Sequence, residues 1–301
     1  MAEGLRQTIE ENLEATLMAF QVAYATGTTP QLDAGRFSPE GQAAILELWE
    51  RVPFRCNATY IPSDVARVGT TGLYEFRGVT LNLFEADGEA VTEQAVFILD
   101  ARDGRIIDFK FGIPLHRADL IQRDGRKIMD LNDRFFLLNF IENFRTAYNR
   151  KDVSYLEKVF SDDALIIVGK LLEARGHTDM AQSVLNRLGE QRVEFIRRSK
   201  AEYLDNLRRV FEYNQYIKVD FVAIGLYEHA EYKKLYVVQL DQRWRSYSDD
   251  EEGYSDEGYL FLLIDLRKDT PLIHVRTWQP KEGTDPELRI GLDTIDVFGD
   301  Q

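Results

Sequence analysis

The stretch FFLLNFIENFRTAYNRKDVSYLEKVFSDDALIIV, residues 135–168, decides the fold. In its first part, apolar residues recur at the three-and-four spacing of one helical face, while Glu142 and Arg145 lie elsewhere on the helix. This spacing predicts an amphipathic helix with one face in a core. The apolar face consists of Leu137, Phe140, Ile141, Phe144, Ala147 and Tyr148.

The second part of the stretch predicts a break, a short helix and a strand. The basic run at 149–151 suits the negative end of the first helix dipole. Asp152 is placed to cap a new helix with its carboxylate. Ser-Asp-Asp at 161–163 breaks that helix, and the apolar run at 164–168 is typical of a buried strand. The apolar stripe of the short helix consists of Val153, Leu156 and Phe160.

A helix ending in Ala-Tyr-Asn, a second helix opening at Asp, and Phe-Ser-Asp-Asp-Ala leading into a strand are together similar to the start of nuclear transport factor 2-like domains. The resemblance covers about residues 130–281. It implies a cystatin-like α+β fold, in which helices pack on a curved antiparallel sheet. In this superfamily the concave face forms a cone-shaped pocket and the convex face commonly makes a dimer. The fold hosts unrelated activities, so the resemblance is a poor guide to function.

The superfamily includes ketosteroid isomerase and the SnoaL-type polyketide cyclases. When this chain is aligned with ketosteroid isomerase, the catalytic tyrosine falls on Phe144 and the general-base aspartate on Val168. Phe144 has no hydroxyl to donate, and Val168 has no proton to exchange. The isomerase activity is therefore not expected here.

Composition describes a soluble, acidic chain of about two domains. The 301 residues are 44% hydrophobic and 29% charged, and the net charge is 37 − 51 = −14. An acidic surface repels phosphate backbones and anionic lipid, so we expect no nucleic-acid or membrane-surface partner. The longest apolar run, 259–264, is far shorter than the roughly 18 residues of a membrane span.

The number and spacing of cysteines and histidines argue against disulfides and metal sites. The single cysteine, Cys56, cannot form an internal disulfide or a cysteine-based metal cluster. The four histidines show no metal-binding spacing, so we expect no metal and no cofactor. The start, MAEGLRQTIEENL, has no signal-peptide pattern, which indicates a cytoplasmic protein unless an export signal has been removed. The histidines are His116, His177, His229 and His274.

The first half has its own α+β pattern. Residues 5–26 predict a helix ended by Gly27, and residues 39–51 predict a second helix capped by Ser38. Arg-Asp-Gly at 102–104 is a hairpin signal. The strands are predicted at 54–60, 73–84, 92–101 and 105–113.

The two halves resemble each other. Phe-Gln-Val-Ala-Tyr at 20–24 echoes Phe-Arg-Thr-Ala-Tyr at 144–148, and the hairpin segment 96–114 echoes 260–280. Two matches in the same order favour a tandem repeat, as in two-domain bacterial proteins that the resemblance includes, many with export signals. The predicted architecture is therefore two tandem cystatin-like domains, the first one degenerate. The predicted limits are 1–127, 128–283 and an acidic tail at 284–301, with a linker at 115–129 and a loop at 169–192.

The second half then predicts a helix and strands. Ser199 and Glu202 form a capping box for a helix. Strands are predicted at 216–226, 234–245, 258–266 and 272–279, and the acidic segment 246–257 is a hairpin tip, where cation binding is a minor alternative. Folding the last hairpin about 268–269 places Tyr259 opposite Trp278 and Phe261 opposite Arg276. One sheet face would then gather Gln242, Trp244, Tyr259, Phe261, His274, Arg276 and Trp278.

Two interpretations of that face remain open. It is a pocket for a small aromatic or anionic ligand, or it is packing against a domain or a second copy of the chain. We expect a non-enzymatic module that binds a small molecule or a protein partner, with a homodimer through the sheet face as one arrangement. The alternative is a SnoaL-like or dehydratase-like enzyme acting on a small carbonyl or polyketide-like substrate. His274 would be its base, and Arg276 or Tyr148 would polarise the carbonyl.

Overall fold

The structure, a computed structural model, describes residues 1–56, 65–68, 71–113, 130–171, 193–248, 251–268, 270–285 and 289–291. The predicted linker at 115–129, nearly all of the predicted loop at 169–192 and most of the acidic tail lie outside these residues. In the described part of the chain, no helix combines the length and the apolar character that crossing a membrane requires.

The first part of the chain is two helices followed by a meander of strands. The first helix ends at Gly27, which has φ of 65°, and Ser38 caps the second by accepting a hydrogen bond from the Gly41 amide at 3.1 Å. Both helices match the sequence prediction. The elements are α1 (Glu3–Thr26), α2 (Pro39–Arg51), β1 (Arg55–Cys56), β2 (Val65–Val68), β3 (Leu73–Ala86), β4 (Glu89–Asp100) and β5 (Ile106–Gly112).

The described second part is two helices, two strands, a third helix and four further strands. The long helix predicted at the start of the stretch 135–168 is confirmed. The capping box is also confirmed, because the Glu202 carboxylate accepts a hydrogen bond from the Ser199 amide at 2.8 Å. The elements are α3 (Leu131–Arg150), α4 (Val153–Val159), β6 (Phe160–Leu171), β7 (Val193–Arg198), α5 (Lys200–Tyr213), β8 (Tyr216–Glu228), β9 (Leu235–Ser248), β10 (Glu251–Asp265) and β11 (Leu272–Pro280).

Two details of the sequence prediction in this part are wrong. The short helix ends before residues 161–163, as predicted, but these residues already lie inside β6. Phe160, predicted on the stripe of the short helix, begins that strand and pairs with Ile273 of β11. The acidic segment is not all hairpin tip, since β10 already begins at Glu251. Arg243 of β9 forms an ion pair with Glu257 of β10, which offsets the low strand propensity of an acidic segment.

The strands form two sheets, so the α+β class is confirmed. The first sheet has the order β1-β3-β4-β5, with β2 also on β3, and is antiparallel. The second has the order β7-β6-β11-β10-β9-β8. In the second sheet β6 is parallel to β11, while β7 and β10 are antiparallel to their neighbours β6 and β11.

By their contacts the residues group into two compact units. The first contains Met1–Asp152, Asn214–Lys218 and Ser246–Gly253, and the second contains Val153–Tyr213, Val219–Arg245 and Tyr254–Gln301. Helix α3 therefore groups with the first unit, whereas the sequence placed it in the second domain. Its buried Arg145 forms an ion pair with Glu93 of β4, and its Thr146 hydroxyl donates to the Phe111 carbonyl at 2.9 Å.

Each sheet contains the same carboxylate clamp at the end of a strand. Asp100 ends β4 and accepts from the amide and guanidinium of Arg102, and Asp265 ends β10 and accepts from the same groups of Arg267. The amide distance is 2.8 Å in both. This shared geometry agrees with the predicted repeat, which itself stays a prediction.

Each unit has its own apolar packing. In the first, aromatic rings of α1, α2 and the sheet contact one another, as with Phe20 against Phe54 at 5.0 Å between ring centres. In the second, α5 packs on the sheet, and Tyr203 meets Phe160 edge-on at 5.5 Å. Both units thus bury one sheet face under helices.

Candidate functional site

The predicted ligand-binding residues lie mostly on the last hairpin, whose register differs from the prediction. The predicted pairing holds near the turn, where Ile264 lies opposite Ile273. Beyond an irregularity after Leu263 it shifts by one residue, so that Leu262 lies opposite Arg276 and Leu260 opposite Trp278. The predicted opposition of Tyr259 to Trp278 is therefore wrong, because a bulge adds one residue to one strand and exchanges the faces beyond it.

The shift divides the predicted site between two faces of the sheet. Arg276 lies on the face covered by α5, where its guanidinium stands 4.8 Å from the ring centre of Tyr203. Phe261 lies on the outer face, in contact with Val237 and Val275. Strand alternation places Gln242 and Trp244 on the helix-covered face, since Val237 of the same strand is on the outer one. Trp278 joins them there and Tyr259 does not.

The helix-covered face holds a carboxylate in an unusual environment. Asp256 accepts a hydrogen bond from the Tyr254 hydroxyl at 2.6 Å through Oδ2. Its Oδ1 is buried and has no hydrogen-bond partner among the described residues. Burial raises the pKa of Asp256, although the Tyr254 hydrogen bond and the positive charge of Arg276 act in the opposite direction. The sequence placed Asp256 in a solvated loop.

His274 and Tyr148, named for the enzyme alternative, have structural partners. His274 Nε2 lies 3.2 Å from Asp265 Oδ2 at the turn end of the hairpin, in the clamp with Arg267. Hydrogen bonds from Arg267 above all, and also from His274, hold the pKa of Asp265 well below its usual value. Tyr148 belongs to the first unit and packs edge-on against Phe144 at 5.2 Å. The catalytic roles of these residues stay predictions.

Part of the outer face is covered by the chain itself. The Ile290 amide donates to Gln279 Oε1 at 2.7 Å, and the Ile290 side chain is buried. Arg289 stacks on Tyr259, with its guanidinium 3.7 Å from the ring centre. A cavity of about 270 Å³ remains beside this segment, lined by Gly225, Gln239, Leu240, Asp241, Tyr259, Leu260, Phe261, Gln279, Arg289 and Ile290.

A larger cavity lies in the first unit, and the sequence analysis did not predict it. Its volume is about 530 Å³. We call it the Trp49 cavity. It is lined by Ala23, Tyr24, Gly27, Thr28, Thr29, Trp49, Glu50, Arg51, Val52, Pro53, Leu83, Phe84, Gln215 and Tyr216.

The ends of α1 and α2 build this cavity. The cavity is lined by the end of α1 at Gly27, the end of α2 before Val52, and Leu83 and Phe84 of β3. The inner wall is buried and apolar or aromatic, whereas the rim is exposed. The buried lining residues are Ala23, Trp49, Val52, Leu83 and Tyr216, and the exposed ones are Gly27, Thr28, Thr29, Glu50, Arg51, Pro53 and Gln215.

Two tyrosine hydroxyls that line the cavity are engaged by the protein. The Tyr24 hydroxyl donates to the Leu83 carbonyl at 3.3 Å. The Tyr216 hydroxyl donates to Glu93 at 3.1 Å and accepts from Asn149 at 3.0 Å. The wall therefore offers a ligand aromatic faces more than hydrogen bonds.

Two cations stand at or beside the rim. Arg51 lines the cavity as the last residue of α2. Lys151, the αL cap of α3 with φ of 57°, donates through Nζ to the carbonyl of Asn214, the residue before Gln215 of the rim. Burial lowers the pKa of Lys151, and the positive charge of Arg51 lowers it further.

No family model matches the chain, and no curated protein is similar to it. Solved structures do resemble it. One is the beta subunit of a benzoate 1,2-dioxygenase from Burkholderia mallei, with 13% identity, TM-score 0.36, and coverage of 52% of this chain and 93% of that one. Another is a nuclear transport factor 2-like protein of unknown function from Pseudomonas putida, with 11% identity, TM-score 0.35, and coverage of 52% and 92%.

A third is an uncharacterized protein with a cystatin-like fold from Caulobacter vibrioides, with 11% identity, TM-score 0.32, and coverage of 54% of this chain and 92% of that one. The neighbours thus include nuclear transport factor 2-like and cystatin-like proteins, the superfamily that residues 135–168 resemble. Each covers about half of this chain, and the tandem arrangement is not confirmed by them.

Proposed function

We propose that this protein is a non-catalytic binding module that holds one small, largely aromatic or apolar molecule in the Trp49 cavity. The observation that carries the proposal is the cavity itself, whose volume of about 530 Å³ lies within the roughly 300–1,000 Å³ of ligand sites in proteins. The proposal keeps the binding function expected from the sequence and moves the site from the last hairpin to the first unit.

The chemistry of the wall supports an apolar ligand. Trp49, Phe84 and Tyr216 present ring surfaces around the cavity. Burying apolar surface stabilises a complex by roughly 25 cal/mol per Å² removed from water. A flat aromatic molecule would gain most here, since ring faces and edges pack at low cost in side-chain freedom.

The same wall supports binding more than catalysis. Among the lining residues that the structure describes, the only carboxylate is that of Glu50, which is exposed on the rim, and none is a histidine or a cysteine. A hydrolytic or isomerising site needs a base within reach of the reacting atom. The enzyme alternative with His274 as base is less favoured, because His274 lies at the turn end of a hairpin and lines neither of the two cavities described above.

A fluorescence titration with N-phenyl-1-naphthylamine, a neutral aromatic probe, tests the proposal on the full chain. We expect saturable binding of one probe per chain. Ala23→Leu adds a larger side chain to the buried wall and should weaken binding by about tenfold, a cost of about 1.4 kcal/mol.

Ala25→Leu is the matched control, because Ala25 is exposed on the same helix and does not line the cavity. It should leave the affinity unchanged. Thermal unfolding of both variants verifies that they fold. Absence of saturable binding, or equal affinity in wild type and Ala23→Leu, would overturn the proposal.

A further inference from the structure

We infer that the ligand of the Trp49 cavity carries an anionic group, a carboxylate or a sulfonate, that is held at the rim by Arg51 and Lys151. This inference rests on the proposed function and adds the chemical class of the ligand. It assigns the rim a role distinct from that of the apolar wall.

The two cations belong to the ends of different helices, Arg51 to that of α2 and Lys151 to that of α3. Arg51 is exposed and lines the cavity directly. Lys151 is partly buried, and its Nζ is fixed by the Asn214 carbonyl beside rim residue Gln215. One cation therefore lines the rim and the other is fixed next to a rim residue, and the charge of Arg51 contributes to lowering the pKa of Lys151.

Neither cation has a carboxylate partner among the described residues. Other arginines of the same unit do, such as Arg6 with Glu10 at 3.0 Å and Arg105 with Asp103 at 2.8 Å. The chain carries 51 acidic against 37 basic residues, so carboxylates are in excess over cations. Glu50 is the acidic residue of the rim, and it forms no ion pair with either cation.

This arrangement disfavours the charged form of Lys151 in the free protein. Two like charges repel each other, and partial burial removes water from the Lys151 ammonium. An anion between them would offset both terms, and its hydrogen bonds with charged donors would be stronger than those between neutral groups. The apolar wall next to these cations then selects a molecule with an aromatic body and an acidic end.

Two probes with the same ring system separate the wall from the rim. N-Phenyl-1-naphthylamine is neutral, and 8-anilinonaphthalene-1-sulfonate has the same rings with one sulfonate. At low salt the wild-type chain should bind the sulfonate at least about threefold more tightly than the neutral probe. Raising the ionic strength should weaken binding of the sulfonate alone, because salt screens exposed charges.

Charge-removing variants assign the effect to the two residues. Arg51→Gln and Lys151→Asn should each lower the affinity for the sulfonate about threefold, with the neutral probe unaffected; asparagine tolerates the positive φ at position 151. Arg51→Lys should retain the preference. Arg6→Gln removes a distant positive charge from the same unit and should change the affinity for neither probe.

The outcomes distinguish the two claims. If Ala23→Leu weakens the neutral probe but Arg51→Gln leaves the preference for the sulfonate unchanged, the cavity binds ligands and the anion inference is wrong. If an equal loss occurs in Arg6→Gln, the preference reflects net charge and the inference is likewise wrong. If Ala23→Leu weakens neither probe, the proposed function itself fails. Arg51 is exposed, so its variants provide this test even if Lys151→Asn does not fold.

Discussion

The Glu142 carboxylate of α3 accepts hydrogen bonds from both Nη atoms of Arg77 of β3, with N–O distances of 2.5 and 2.8 Å. Both side chains are buried. The same carboxylate accepts from the Ile113 amide at 3.0 Å. Arg77 also forms an ion pair with Glu75 on its own strand. These contacts attach α3 to the first sheet through charge as well as apolar packing.

Removing that carboxylate should be costly. Glu142→Ala leaves the Arg77 guanidinium buried with less compensation, and we expect a loss of about 3–5 kcal/mol in the free energy of unfolding. Chemical denaturation of the full chain measures it. Glu10→Ala removes a partner from the exposed Arg6–Glu10 pair and should cost less than about 1 kcal/mol. Similar losses in the two variants would contradict the structural role of Glu142.

The periodicity of α3 predicted its apolar face correctly, but it did not predict that charged residues on the opposite face are buried too. Glu142 and Arg145 lie off the apolar stripe, which predicts exposure, yet both are buried. Their partners Arg77 and Glu93 are on strands 65 and 52 residues away. A pattern within one helix shows which residues are apolar, but not whether a distant strand supplies a counter-charge, so the unit to which α3 belongs could not be predicted.

Phe144 gives a second stability prediction. Its side chain is 1% exposed and meets Tyr148 edge-on. Phe144→Ala should cost about 3–5 kcal/mol, because the truncation leaves a cavity in a packed region. Denaturation of the variant measures the cost. A loss below about 1 kcal/mol would mean that Phe144 lines open space, as a catalytic tyrosine at this position would.

Arg276 should be structural. The side chain is buried, and its guanidinium stands over Tyr203. Arg276→Gln removes this contact and the positive charge that acts on Asp256, so we expect a loss of about 2 kcal/mol. Thermal unfolding provides the measurement. An unchanged melting temperature, together with loss of stabilisation by a carboxylate-bearing compound, would instead assign Arg276 to ligand binding.

Two aspartates of β10 should respond to pH with opposite signs. The pKa of Asp256 is raised, so ionising it costs the folded state stability as pH rises above the unfolded value of about 3.9. Asp256→Asn should therefore raise the melting temperature at pH 7 and have little effect near pH 3.5.

The pKa of Asp265 is lowered, so its charged form adds stability above the unfolded value, and that stability is lost as pH falls. Asp265→Asn should destabilise by a similar amount from pH 7 down to about pH 4 and by less at pH 3, below the unfolded pKa of about 3.9. Melting curves of both variants between pH 3 and pH 7 compare the slopes. If the change in melting temperature relative to wild type had the same sign in both variants at pH 7, the environment of Asp256 or of Asp265 described here would be wrong.

The candidate site was harder to predict than the fold. The Ser38 and Ser199 caps and the Asp100 turn follow from local hydrogen bonding, so nearby residues suffice to predict them. The last hairpin was misplaced by one bulge after Leu263, which no residue type marks. The Trp49 cavity depends on where two helices end relative to one strand, which nearby residues do not determine. An aromatic residue that lines a cavity also has the same local sequence pattern as one that fills a core.

The most direct test of the proposed binding site uses the three tryptophans of the chain, of which Trp49 lines the Trp49 cavity and Trp244 and Trp278 belong to the second unit. The chain is labelled with 5-fluorotryptophan, and each fluorine signal is assigned with a Trp→Phe variant. On titration with N-phenyl-1-naphthylamine, the Trp49 signal should shift and saturate at one probe per chain, while the other two remain unchanged. A saturating shift of Trp244 or Trp278 with an unmoved Trp49 signal would contradict the account.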